Sequence, residues 1–102
     1  MGFRSIYMNT AQIIEWAKER NLHFPENAHA QLGKIMEEVG ETAGAFLKKN
    51  RDDLRDGIGD SFVTLIIFAI QNGFTPEECL ESAYHEIKNR TGKKVDGVFI
   101  KD

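Results

Sequence analysis

Residues 34 to 70 read KIMEEVGETAGAFLKKNRDDLRDGIGDSFVTLIIFAI, and this stretch decides the fold. Its first part, through Lys49, has apolar residues at helical spacing. Its second, from about Asp52 or Asp53, is another long helical pattern that stops at Gly73, glycine being favoured just past a helix end. Each part carries an acidic turn: Glu37-Glu38-Val39-Gly40-Glu41 in the first, Asp56-Gly57-Ile58-Gly59-Asp60 in the second. Residues three or four apart share a helix face, so Glu38 with Glu41, and Asp56 with Asp60, present carboxylates side by side. Like charges so placed repel and call for compensation.

The two patterns differ in their surroundings. In the first, Leu32, Ile35, Met36, Val39, Ala43, Phe46 and Leu47 form an apolar stripe predicted to face the core, with the glutamates roughly opposite. In the second, Phe62, Val63, Leu65, Ile66, Ile67, Phe68 and Ile70 leave almost no polar side, yet Asp53, Asp56, Asp60, Thr64 and Gln71 align as a polar seam. A carboxylate beside a helix that seeks burial must be hydrated, protonated, paired or metal-bound, because burying it uncompensated costs several kcal/mol or more. A short antiparallel turn between the helices would converge Glu38, Glu41, Asp56 and Asp60 into a hard-oxygen cation site suited to Mg²⁺ or Mn²⁺. Asp52 and Asp53 have a simpler role as first-turn acids favoured by the helix dipole.

Outward from this pair, a first helix is predicted from the Asn9 cap, with Gln12 completing a capping box and Met8 and Ile13 at staple spacing. It should run to about Asn21 with Ile13, Ile14 and Ala17 inward. Pro25 interrupts the connection from Leu22 to Asn27, so the second helix starts near Glu26 or Asn27. Thr75-Pro76-Glu77-Glu78 opens a fourth helix, predicted to reach Arg90 or Thr91 with Cys79, Leu80, Ala83, Tyr84 and Ile87 inward. In the tail, Asp96-Gly97 predicts a turn in an extended arm or small hairpin.

At 102 residues the chain has room for one domain, which would bury about 60–70% of its unfolded surface. Its 41% hydrophobic and 28% charged composition is that of a globular protein. The net charge of −3 argues against nucleic-acid binding through a general basic surface. The run from Phe62 to Ile70 falls short of the roughly 20 residues a membrane span needs. One cysteine, Cys79, cannot pair within the chain, its inward position predicts an inert thiol, and no signal peptide precedes the first helix; a reducing, cytoplasmic setting is the simplest expectation. Three helices of these lengths cannot cover every side of the third, which predicts a homo-oligomer, a dimer or a tetramer. His23, His29 and His85 lack zinc-ligand spacing, and no phosphate loop or nucleophilic triad is present.

The runs KIMEEVGETAGAF and DGIGDSFVTLIIFA resemble the MazG-like, all-α nucleoside triphosphate pyrophosphohydrolases, whose signature is Glu-x-x-Glu, a spacer, then Glu-x-x-Asp. Glu38 and Glu41 fit the first half and Asp60 the last position. Gly57 stands where the second-half glutamate belongs, with Asp56 one residue earlier as its substitute. The resemblance runs from about Leu32 to the C-terminus. It implies a four-helix, oligomeric bundle with an extended C-terminal arm that hydrolyses a nucleoside triphosphate to the monophosphate and pyrophosphate. Glu38, Glu41, Asp56 and Asp60 would hold Mg²⁺, and Glu37 or Glu41 would orient or deprotonate the attacking water. The segment Lys88-Asn89-Arg90 is similar to a nucleotide-binding segment of that family, so Lys88, Asn89 and Arg90, with Lys93, would contact the substrate. The Gly57 departure also admits a catalytically inactive interaction or regulatory module of the same fold.

Overall fold

The computed structural model describes residues 9–102, which form helices α1 (Thr10–Glu19), α2 (Ala28–Leu47), α3 (Arg51–Gln71) and α4 (Pro76–Ile87), then strands β1 (Gly92–Val95) and β2 (Val98–Lys101). It is an all-α arrangement with a C-terminal hairpin arm. The Asn9 side chain accepts the Gln12 amide at 3.3 Å, and the Gln12 side chain accepts the Asn9 amide at 3.0 Å, closing the expected capping box. The Met8 staple lies outside the described residues. α1 ends before Asn21, which takes a left-handed φ of 60°, and it packs on α3 with Ala17 fully buried and Ile13 and Ile14 half-buried.

Pro25–Asn27 form a 3-10 turn, so α2 starts at Ala28 rather than Glu26. The reversal into α3 is capped by Asn50, whose side-chain oxygen accepts the Asp53 amide at 3.1 Å, and α3 therefore begins at Arg51. Pairings across α2 and α3 run in opposite senses: Gln31 reaches the Thr64 carbonyl at 3.0 Å, whereas Thr42 meets Ser61 at 3.3 Å and Gly57 lies beside Thr42. The two helices are thus antiparallel, as the turn predicts. α4 opens with the predicted Thr75–Glu78 capping box, at 3.1 and 2.7 Å. It stops at Ile87, about one turn before Arg90, because the chain then tightens (Arg90 amide to Ile87 carbonyl, 3.0 Å) and enters the hairpin. Asp96 and Gly97 have φ of 51° and 82°, the pair of positive values a tight primed hairpin turn requires, and they set Val95 opposite Val98.

Two inward assignments are corrected. Of the α2 stripe only Ile35 is buried; Leu32, Met36, Val39, Ala43, Phe46 and Leu47 are exposed, Met36 by 68% and Phe46 by 65%. On α4, Cys79, Leu80, Ala83, Tyr84 and Ile87 are all exposed, so the Cys79 thiol is accessible rather than sequestered. The reason is the same for both: apolar periodicity identifies a face but not its neighbour. The face of α2 that meets α3 is built from Gln31, Ile35, Glu38, Thr42 and Ala45, so that Glu38 is turned inward while Glu37 and Glu41 stay exposed.

Candidate active site

Close approach of α2 and α3 makes the site. A Cβ on Gly57 would come within 2.7 Å of Thr42 Oγ1 and 3.2 Å of Thr42 Cα, so the helices touch here only because position 57 has no side chain. Thr42 Oγ1 donates to the Glu38 carbonyl at 2.8 Å, and Ser61 Oγ donates to the Gly57 carbonyl at 2.9 Å, so both hydroxyls at the contact are satisfied. A glutamate at 57 would require these helices to part. Gly57 is a packing residue in this chain, and the neighbouring Asp56 lines the recess beside it.

Beside this contact Glu38, Glu41, Asp53, Asp56 and Asp60 line one open recess of about 430 Å³, bounded at its far end by Lys48 and Asn50. Glu38 is buried, while Glu41, Asp56 and Asp60 reach solvent. Glu37, Glu38 and Glu41 each offer an oxygen within 4.8 Å of the others. Asp60 also borders both neighbouring clefts, one toward α1 and one toward Trp16, and so sits where the three meet.

Lys34 supplies the local positive charge. Its Nζ lies 2.6 Å from Glu37 Oε1 and 3.5 Å from Glu38 Oε1. The hydrogen bond and charge of Glu37, and then those of Glu38, raise the Lys34 pKa above its ordinary 10.5. The recess itself is lined by five carboxylates, Glu38, Glu41, Asp53, Asp56 and Asp60, against the one ammonium of Lys48, which leaves it net negative. An all-carboxylate donor set of this kind fits a hard divalent cation such as Mg²⁺ or Mn²⁺.

Placement of the remaining predicted residues is uneven. Lys88, Asn89, Arg90 and Lys93 follow α4 or lie in β1, are exposed, and line none of the three clefts; Arg90 pairs instead with Glu86 at 3.6 Å. Within one chain the basic segment and the carboxylates are therefore not brought together. Asp53, assigned by its sequence position to the helix dipole, both accepts from the Asn50 side chain at 2.8 Å and lines the recess. Its place in the polar seam is the signal that marks it. Lys34 escapes the sequence reading, although its spacing of three and four from Glu37 and Glu38 is that of helical ion pairs. His23 and Phe24 stack on each other at 4.1 Å, and Arg20 covers the Trp16 ring at 4.3 Å.

An antiparallel helix pair that gathers carboxylates along one recess, Glu38 buried and the others open to solvent, defines a helical, acidic-site protein. The family profile for the MazG nucleotide pyrophosphohydrolase domain matches residues 26–95, and the chain belongs to that family. A relative is the uncharacterized 18.2 kDa protein in the rep-hol intergenic region of Haemophilus phage HP1 (strain HP1c1), 42% identical over 60 residues. That match covers 59% of this chain and 37% of the phage protein, so the chain matches little more than a third of that relative's length. No solved structure matches. No single helix among the described residues is long and apolar enough to cross a membrane.

Proposed function

We propose that the protein hydrolyses a nucleoside triphosphate to the monophosphate and pyrophosphate with Mg²⁺, Mn²⁺ being an alternative, in a cytoplasmic setting. The observation that carries this reading is the convergence of Glu38 and Glu41 from α2 with Asp56 and Asp60 from α3 on one recess. These four would hold the metal, which when bound neutralises triphosphate charge and polarises the phosphoryl group. Glu41, and Glu37 at the rim, are the carboxylates available to orient the attacking water or take its proton. Lys34 holds Glu37 and Glu38 in place and keeps their charge from spreading the helix turn.

Assembly belongs to the same proposal. Exposed apolar residues line the outer sides of α2 and α3, Phe62 and Leu65 among them, and a second chain covering them would build a dimer or tetramer. Lys88, Asn89, Arg90 and Lys93 would then meet the nucleotide from a neighbouring copy. The second reading, an inactive module of this fold, is favoured by Gly57, whose packing against Thr42 leaves no room for the family glutamate. Purified protein with Mg²⁺ or Mn²⁺ and a panel of ordinary and modified nucleoside triphosphates separates them. Release of pyrophosphate, with ¹⁸O from labelled water appearing in the monophosphate, supports hydrolysis at the α-phosphorus; no release from any nucleotide favours the inactive module.

A further inference from the structure

Pro76 is the last buried residue of the chain, and every one of residues 77–102, about a quarter of the length, is exposed. Yet this segment is regular structure, α4 followed by the β1–β2 hairpin. α4 is fastened at its first turn, where Pro76 is buried and the Thr10 hydroxyl donates to the Glu77 carboxylate, and it leaves α3 at 100°. β1 and β2 pair with each other, and neither packs on a helix among the described residues. A twelve-residue helix and a two-stranded hairpin are each marginal in water unless an apolar face is covered.

Each has such a face. On α4, Leu80, Tyr84 and Ile87 recur at helical spacing, all exposed. On the hairpin, the pairing of Val95 with Val98 and of Lys93 with Ile100 sets Val95, Val98 and Ile100 on one side together with Lys93. The opposite side is filled from within. There Phe99 packs against Gly92, where a Cβ would lie 2.6 Å from the ring's Cζ, and Lys94 and Lys101 share that side. The valine and isoleucine side is left without cover from its own chain among the described residues. Charge is divided along the chain as well. Residues 88–102 hold five Lys and Arg against two Asp, a net +3, and since the whole chain is −3, residues 1–87 hold −6.

We propose that α4 and the hairpin form an arm exchanged between two copies of this chain, lying across the outer side of α2 and α3 in the second copy while that copy's arm lies across the first. This rests on the reading that copies assemble, and names the element that joins them. A second copy meets three requirements at once. Its α2 and α3 expose large apolar side chains, Met36, Phe46 and Leu65 among them. Its body is negative, which matches the basic end of the arm and gives Lys93 carboxylates within an otherwise apolar contact. Reciprocal exchange makes the same contact twice, so the pair closes on itself.

The test is light scattering after size exclusion, at micromolar concentration, of the wild type, of Val98→Asp combined with Ile100→Asp, and of Lys94→Gln on the hairpin's other side. The wild type should run at a multiple of the 11.6 kDa chain, the double variant at half that mass or less with its helical circular dichroism kept, and Lys94→Gln at the wild-type mass. Hydrogen exchange of the wild type gives a reading that needs no variant: the amides of residues 80–87 and of the hairpin should be protected in the assembly and exchange at least about tenfold faster on dilution to the single chain. Should the double variant unfold, that measurement decides. A wild type that runs as a single chain overturns the arm and the assembly reading together. An assembly whose mass a folded double variant leaves unchanged, or whose hairpin amides exchange as fast as those of the single chain, overturns the arm alone.

Discussion

Helices α2 and α3 each carry two unlike faces, and the unlikeness is the reverse of what a helical domain leads one to expect. Where they meet, apart from the buried Ile35, the residues are small or polar: Thr42 against Gly57 and Ser61, Gln31 against Thr64, with Glu38 and Ala45 buried beside them. Where they face away, the residues are large and apolar: Met36, Phe46 and Leu47 on α2, Ile58, Phe62 and Leu65 on α3. Burial of a large apolar side chain contributes about 1.5–3 kcal/mol, whereas inner-face hydrogen bonds contribute about 1 kcal/mol each. The inner face therefore reads as a site held open between two helices. The outer faces hold most of the unused burial energy, which only further chain can realise.

Substitution at the inner carboxylates should have the largest effect. Glu38→Gln or Asp60→Asn is expected to lower turnover on the order of a thousandfold, as loss of several kcal/mol of transition-state charge stabilisation implies. Both variants should stay folded, or gain slightly, because each removes one of several mutually repelling charges. Circular dichroism beside a pyrophosphate-release assay checks both halves. Unchanged turnover in the two variants would reduce the inner face to ordinary packing.

On the outer faces, Leu65→Asp is the corresponding probe, since Leu65 is 49% exposed within one chain and lines none of the three clefts. If that face is mere surface, the change stays within about 0.5 kcal/mol. If a second copy covers it, assembly should weaken by about 2 kcal/mol or more per interface, and activity should fall with it. Light scattering after size exclusion decides: a wild type that runs as a stable, active species of one 11.6 kDa chain refutes the second copy.

Two glycines two residues apart sharpen the same contrast. A Cβ on Gly57 would meet Thr42 Oγ1 at 2.7 Å, whereas one on Gly59 would meet nothing within 4 Å. Gly59→Ala should stabilise by about 1 kcal/mol, the helix-propensity difference. Gly57→Ala gains the same propensity but incurs about 1–3 kcal/mol of overpacking, for a net loss of about 1 kcal/mol. Adding Thr42→Ala should recover most of it, a coupling that a double-mutant cycle of denaturation midpoints measures. If Gly57→Ala behaves like Gly59→Ala, the helices are not in tight contact.

Much of this is legible in the sequence, and the illegible part has a physical cause. Caps are local chemistry, so Asn9 with Gln12, Thr75 with Glu78, and the Asp96-Gly97 turn are readable from a few residues each. The carboxylates are readable because mutually repelling acids recur at helical spacing on two consecutive helices joined by a short turn, an arrangement that calls for a cation. Direction is what the sequence leaves open. The Leu32-to-Leu47 stripe has the spacing of a core face, but the face of α2 that packs on α3 is a mixed one, Ile35 and Ala45 with Gln31, Glu38 and Thr42, set by the close approach of Gly57 to Thr42. Nor does the sequence place Lys88 to Lys93 relative to the recess, because that depends on how α4 leaves α3.

The smallest expected effect concerns Lys34, the cation the inner face already owns. Glu37 and Glu38 raise its pKa above the 10.5 of a free lysine, so its charged form is bound more tightly in the folded protein than in the unfolded chain. A raised folded-state pKa gives stability that is fully present below the unfolded value and is lost as pH climbs through the folded one. Wild-type stability from this source should thus be flat through neutral pH and decline only above about pH 10.5. Because the lysine is solvent-facing, the loss is a modest shift in melting temperature, and Lys34→Met should abolish that limb of the curve. The same variant leaves Glu37 and Glu38 without their ammonium, so its melting temperature should rise more on adding millimolar Mg²⁺ than the wild type's does, by the mass-action stabilisation that a native-state ligand confers. Thermal melts of both proteins at neutral and alkaline pH, with Mg²⁺ and with chelator, measure the two shifts together. Equal Mg²⁺ increments in wild type and Lys34→Met would show that the ammonium and the metal do not compete for these carboxylates, and the glutamates of α2 would then be a solvated acidic turn beside the cleft and not its centre.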